Sequence, residues 1–338
     1  MAIRFGRYDI EGEIARGGMG VVYLARQDLL GGVTRPVALK LIGEDWRKNS
    51  LADPFFVREV ATLCSINDPN VVRILDASSE HGRPYLVMEY LDGISLADLR
   101  QQARARGQLL DPRLVLSLMI QACQGLAALH RRKVVHRDVS PSNLFLTRDG
   151  HVKVIDLGAS CSYAADAPSA QDTVIGKPRY MAPEAYDVRT VPDERSDVFS
   201  VGIVLWEMLS GVDLVPREMA QAIHFIASID QQPIPMPASV QGRATEEAVR
   251  GALRSDPSAR IPDFVGLIEV LRVALSEHKT PAPWTPEVIA AHLLAGRYRV
   301  APEAPPKPVR SLDKPASQAP AAVDEWECGP AFEVHDPV

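Results

Sequence analysis

Periodicity changes once along this 338-residue chain, and that change restricts the fold more than any other feature. Up to about residue 93 the pattern is that of strands. Val21, Tyr23 and Ala25 alternate with Val22, Leu24 and Arg26, a period of two. Gly31-Gly32 supplies a turn, and Pro36 to Ile42 (PVALKLI) is a second β run. Residues 71–76 and 85–91 read as further strands, and Phe56, Val60 and Leu63 give residues 54–66 helical spacing. Beyond Gly93 the period becomes that of helices. Residues 95–105, 112–131, 196–210 and 261–275 repeat at about 3.6, with Asp111-Pro112 and Ser196-Asp197 as helix starts. Strands followed by helices specify an α+β fold rather than alternating βαβ units.

The length fits about two domains, because single cores rarely grow past ~250 residues. Asp+Glu 43 against Lys+Arg 37 gives a net charge of −6. That argues against nucleic acid as the main partner, since neutralising phosphates takes a basic surface. It leaves room for a small anion in a locally basic cleft. Cys64, Cys123, Cys161 and Cys328 lie far apart and form no CxxC pair, so neither a disulfide framework nor a zinc site is expected. The start, MAIRFGRYDI, lacks the apolar run of a signal peptide. The apolar stretches 114–129 and 198–209 are shorter than the ~18–20 residues of a membrane helix. A cytoplasmic protein with no membrane partner is expected. Eleven of the 27 prolines fall in residues 280–338. Apart from a short helical pattern, Pro286 to Leu294, residues 278–338 read as a proline-rich, largely disordered tail, a candidate docking segment for a partner.

Three polar constellations carry chemistry. Gly17, Gly18 and Gly20 sit between two strand signals, where glycines let amide groups approach phosphate oxygens. No Gly-Lys-Ser/Thr follows and no helix begins there, which excludes a Walker loop. Lys40 lies inside a buried strand pattern and needs an anionic partner; Glu59 is a candidate. The run His136-Arg137-Asp138-Val139-Ser140-Pro141-Ser142-Asn143 places Asp138 five residues before Asn143, and Asp156 follows thirteen residues later. Two carboxylates and an amide brought together suit an oxygen-loving cation such as Mg²⁺, with phosphates completing its shell.

These elements, in this order, resemble the eukaryotic-type (Hanks-type) bacterial protein Ser/Thr kinases. Tyr180-Met-Ala-Pro-Glu184, Asp197-Val-Phe-Ser-Val-Gly202 and Asp256-Pro-Ser-Ala-Arg260 add further matches, so the resemblance covers about residues 8–275. HRDVSPSN with GKPRYMAPE looks like a myxobacterial-type branch. The resemblance implies the two-lobed kinase fold, with an N-lobe at 1–93 and a C-lobe at 94–277. It implies transfer of the ATP γ-phosphate to a Ser/Thr of a protein substrate, with Mg²⁺ and with Mn²⁺ as an alternative. Lys40 is expected to hold the α/β-phosphates and to pair with Glu59. Asp156 and Asn143 are expected at the metal, and Asp138 is expected to orient and deprotonate the substrate hydroxyl. Ile14, Val22, Ala38 and Phe145 are expected around the base, whose polar edge meets backbone of Glu89 and Leu91 beyond the gatekeeper Met88. Ser95 stands where a ribose-binding carboxylate is common. Leu63, Ile74, His136 and Leu157 are expected to stack between the lobes, and Glu184 to pair with Arg260. Thr173 is the expected regulatory phosphosite, read by Arg137.

Three departures from the family pattern stand out. Ala15 replaces the first loop glycine, and Leu157 replaces Phe in DFG, a swap of similar volume. Ser140 stands where a lysine contacts the γ-phosphate, and Lys177 where a threonine follows the activation-segment glycine. The two chemical types look exchanged, so Lys177 is expected to reach back beside Asp138 while Ser140 supplies the hydroxyl. The rival reading is a pseudokinase scaffold that binds nucleotide or partners without transfer.

Overall fold

The computed structural model describes residues 3–17, 20–42, 60–80, 83–157, 177–187, 189–237, 243–278 and 284–294. The first lobe is one antiparallel sheet of β1 (Ile3–Phe5), β2 (Tyr8–Gly17), β3 (Gly20–Asp28), β4 (Thr34–Ile42), β5 (Ile74–Glu80) and β6 (Arg83–Glu89). Their order is β1-β2-β3-β4-β6-β5, so β4 lies at the centre. The alternation read at 21–26 buries Val21, Tyr23 and Ala25 against Phe5, Tyr8, Ile10, Val37, Leu39, Tyr85 and Val87. Gly31 and Gly32 turn the chain at φ 76° and 78°, a region glycine enters without a Cβ clash. Val71 forms a parallel bridge with Val154 instead of opening β5, so its β character serves the other lobe.

The second lobe contains α1 (Leu96–Ala105), α2 (Pro112–Arg131), α3 (Glu194–Ser210), α4 (Met219–Ala227), α5 (Arg243–Ala252), α6 (Phe264–Glu277) and α7 (Pro286–Leu294). A small antiparallel sheet, β7 (Gly93–Ser95), β8 (Leu144–Thr147) and β9 (Val152–Val154), faces the first lobe's exit. A Cβ on Gly93 would lie 2.2 Å from the Leu146 carbonyl oxygen, so only glycine lets β7 approach β8 this closely. Helix α2 begins as read, with the Asp111 side chain accepting from the Arg113 amide. It has 20 residues and passes the length and composition test for a membrane span, yet 14 of them are buried among the other helices. Helix α3 starts earlier than the expected Ser196-Asp197, because Asp193 takes the cap by accepting from the Arg195 amide. That frees Ser196 and Asp197 to point elsewhere.

One large core holds the second lobe together and also takes in Leu63, Ile66, Val71, Val72 and Ile74. Leu157 joins it, and His136 is fully buried, so the four residues expected to stack between the lobes are all buried there. The core extends beyond the expected boundary at 277. Ile289 is 1% exposed and Leu293 5% exposed, and both belong to it. A Cβ on Gly150 would fall 1.9 Å from the Pro286 carbonyl oxygen, so α7 presses against the β8–β9 turn. The short helical pattern read at Pro286 to Leu294 is a helix with those bounds, and its spaced apolar residues seat it on the second lobe. Residues 295–338 lie outside the described residues. Ile289→Ala is expected to cost about 2–5 kcal/mol, the usual range for truncating a buried aliphatic side chain. A urea midpoint equal to that of the unchanged chain would show that α7 is not docked in solution.

Candidate active site

The polar loop between α2 and β8 is shaped from below by α3. Asp197 is fully buried. Its Oδ2 accepts from the His136 amide (2.8 Å) and faces His130 Nε2 (2.8 Å), while its Oδ1 accepts from the Arg137 amide (2.8 Å). Burial pushes the Asp197 carboxyl up, but hydrogen bonding and charge from His130, with His136 behind, outweigh it and hold it below the usual carboxylate range. The grip tolerates strain: Arg137 adopts φ 65° and Asp156 φ 59°, two of the three non-glycine residues at positive φ among the described residues. His136 Nε2 lies 3.0 Å from the Ile155 carbonyl oxygen, tying the loop to the strand end that carries Asp156.

Asp138 is held at both oxygens. The Lys177 amide donates to Oδ1 at 3.0 Å, and Asn143 Nδ2 donates to Oδ2 at 2.8 Å and to the Asp138 carbonyl at 2.7 Å. Across the cleft, Lys40 Nζ is hydrogen-bonded to Asp156 Oδ1, joining the centre of the sheet to the second lobe. Burial acts to raise the Asp156 carboxyl. The Lys40 ammonium overrides it, helped by His136 and Lys177, and the group sits below its ordinary value. The expected Lys40–Glu59 pair cannot be placed: Glu59, Gly18 and Thr173 lie outside the described residues.

Register explains the apolar wall. Val22 is opposite Lys40, and Leu24 and Met88 flank Ala38, so these residues share the sheet face that carries Lys40. Ile14 sits at a register shift in β2. Phe145 is partly buried on β8, opposite Ser95. Leu91 packs on the large core. Glu89 donates its amide to the Arg73 carbonyl, and its side chain takes Lys153 Nζ at 2.9 Å and the Arg73 amide at 2.9 Å. Ser95 is committed elsewhere: its hydroxyl caps α1, accepting from the Asp98 amide at 3.1 Å and donating to Asp98 Oδ2 at 2.5 Å.

The donors near Asp138 are hard oxygens, the Asn143 amide and the Asp156 carboxylate. They fit Mg²⁺ or Mn²⁺ with phosphate oxygens and water filling the shell. Among the described residues no group of three or more His, Cys, Asp or Glu is placed to hold a metal by itself.

The protein kinase domain family matches residues 8–267, most of the chain and the whole of this cleft. The chain belongs to the protein kinase family. It is 32% identical over 286 residues to a serine/threonine-protein kinase of Myxococcus xanthus, covering 82% of this chain and 40% of that protein. It is 32% identical to PknA of Corynebacterium glutamicum (84% of this chain, 59% of that one) and 32% identical to PknB of Mycolicibacterium smegmatis (84% and 45%). The chain spans less than two thirds of the length of the curated relatives it matches.

Two ionic clusters brace this kinase domain below the cleft. Arg260 has no side-chain exposure and grips Glu184 with two bonds, Nη1–Oε1 2.8 Å and Nη2–Oε2 3.0 Å. Its remaining N–H groups reach the Arg254, Arg195 and Ser255 carbonyls, and its guanidinium lies 5.0 Å over the Phe199 ring. Sequence reading missed the second cluster. Glu207 is fully buried and accepts from Arg100 Nη1 (2.7 Å), Tyr180 Oη (2.8 Å) and the Leu214 amide (3.1 Å). Asp213 takes Arg100 at 2.9 Å and Arg217 at 3.0 Å, and Arg179 lies 3.4 Å away. The available signal was Glu207 itself, one carboxylate inside the apolar run VGIVLWEML.

Proposed function

We propose that this chain is a protein serine/threonine kinase, transferring the γ-phosphate of ATP to Ser or Thr hydroxyls of a protein substrate. The observation that carries the reading is Asp138. Its carboxylate is fixed by an amide on each oxygen, one from Asn143 and one from Lys177. Such a group can orient a hydroxyl and take its proton without first reorganising. Lys40 serves the α/β-phosphates from the centre of the sheet. Asn143 and Asp156 would hold Mg²⁺, which would neutralise phosphate charge when bound; their oxygen donors would also accept Mn²⁺. Ile14, Val22, Ala38, Met88 and Phe145 form the apolar slot for the base.

The test is transfer of label from γ-labelled ATP to the protein itself and to a generic basic protein, with Asp138→Asn as control. Label is expected with the unchanged chain and a loss on the order of 10²–10³ with the variant. Nucleotide binding without transfer, under both Mg²⁺ and Mn²⁺, would replace the enzyme with a nucleotide-binding scaffold.

A further inference from the structure

We propose that Lys177 provides the cation that meets the transferred phosphate, seated by Ser140 and Ser142. This rests on the kinase reading above. Ser140, two residues beyond Asp138, is fully buried and carries no charge. The ammonium beside it comes from 37 residues further along the chain. Lys177 Nζ donates to Ser140 Oγ at 2.9 Å and to Ser142 Oγ at 2.7 Å, and it lies 3.4 Å from Asn143 Oδ1. Asp138 Oδ2 is 3.7 Å away, within ion-pair reach but beyond a hydrogen bond. Two neutral hydroxyls therefore seat the ammonium, and its charge is only loosely matched by the carboxylate. The Lys177 side chain is 45% exposed, so its charge is not sealed into the core. Lys40, the other ammonium described above at this site, is already paired with Asp156.

The backbone is prepared for this placement. Lys177 precedes Pro178 and is extended (φ −88°, ψ 110°), the conformation that a following proline favours. Beyond it the chain is pinned repeatedly. The Tyr180 amide donates to the Lys177 carbonyl (2.9 Å), Tyr186 Oη to the Pro178 carbonyl (2.5 Å), Arg179 to the Val215 carbonyl (2.7 Å) and Ser200 Oγ to the Tyr180 carbonyl (2.6 Å). In the transfer step the substrate hydroxyl oxygen bonds to the γ-phosphorus and its proton passes to Asp138. The bond from that phosphorus to the β–γ bridging oxygen breaks, and the electron pair stays on ADP. Lys177 neutralises the oxygens of the moving group and exchanges no proton. One residue thus supplies both the amide that aims Asp138 and the charge that meets the phosphate. Docking of 177–180 delivers them together, and undocking removes both.

Lys177→Met removes the ammonium and keeps the amide, so it separates charge from positioning. ATP and ADP affinities are measured by displacing a fluorescent nucleotide, alongside kcat and KM for the protein substrate. ATP affinity is expected to fall about tenfold or more, as loss of a charge-assisted contact does, with ADP affinity unchanged. The kcat is expected to fall on the order of 10² or more with little change in KM for the protein substrate. Ser140→Lys combined with Lys177→Thr is expected to recover activity beyond either single change, a coupling of neighbours. Equal shifts for ATP and ADP, an unchanged ATP affinity, or additive effects of the two substitutions would overturn the assignment. An unchanged chain that transfers no phosphate yet prefers ATP through Lys177 would defeat the kinase reading alone. Full transfer by Lys177→Met would defeat this inference alone.

Discussion

Asp197→Ala is expected to lose about 3–5 kcal/mol of stability and most of its transfer activity together. The buried amide of His136 and the partly buried amide of Arg137 would be left without their acceptor. Each such orphan costs roughly 1–3 kcal/mol, and dismantling a buried ionic contact from one side costs about 3–5 kcal/mol. That is a large share of the ~5–15 kcal/mol that keeps a typical domain folded. The activity loss follows because Arg137, next to Asp138, is held at φ 65°, a conformation its own sterics disfavour. The sign of the pH dependence is fixed. The folded Asp197 carboxyl lies below its ordinary value. Its contribution is therefore present above the unfolded pKa near ~4 and drains as pH falls through the folded one. The deficit of the alanine variant should be widest near neutrality and narrow in acid. Chemical denaturation from neutral to acid pH reads this directly; a deficit independent of pH would mean that Asp197 does not carry the loop as a carboxylate.

Lys40→Met is expected to abolish transfer, on the order of 10²–10³ or more in kcat, while leaving the fold intact. Lys40 sits on the central strand with Val22 and Leu86 as cross-strand neighbours, and methionine fills similar volume there. What disappears is the charge opposite Asp156. That charge opposes the upward push of burial on Asp156, so the variant's carboxyl should titrate at higher pH than in the unchanged chain. Nucleotide turnover and the carboxyl resonance of Asp156 test the two halves separately. Full turnover in the variant would remove Lys40 from the phosphate site.

The strand-to-helix order was legible because periodicity reports burial one element at a time. The Gly17–Gly20 hairpin, Lys40, Asp138, Asn143 and Asp156 were legible because chemistry restricts residue type and spacing. Contacts spanning long stretches of chain were not. Asp197 was read as part of a helix start, although its carboxylate reaches back 61 residues to His136. Ser95 was read only as standing where a ribose-binding carboxylate is common; that its hydroxyl serves the cap of α1 needed the structure, a local bond that side chains of this type often make. Helix α7 showed its pattern in Pro286 to Leu294, yet composition cannot reveal that a groove beside Gly150 exists to receive it. The Glu207 cluster joins residues 100, 179, 180, 207 and 213, and no periodic rule brings those together.

Glu89 has a mechanical consequence. Its carboxylate rivets Arg73 and Lys153, its amide takes the Arg73 carbonyl, and Lys153 belongs to β9 of the second lobe. Val72 donates to the Val154 carbonyl and Val154 to the Asn70 carbonyl, so residues 70–73 travel with the second lobe. On the far side, Asp92 is tied to Arg148 through both its backbone and its side chain. Between these fastenings lie Tyr90 and Leu91, which join β6 to β7, and Leu91 packs on the large core. The crossing between the lobes is therefore short and fastened on both sides, by Glu89 before it and Asp92 after it.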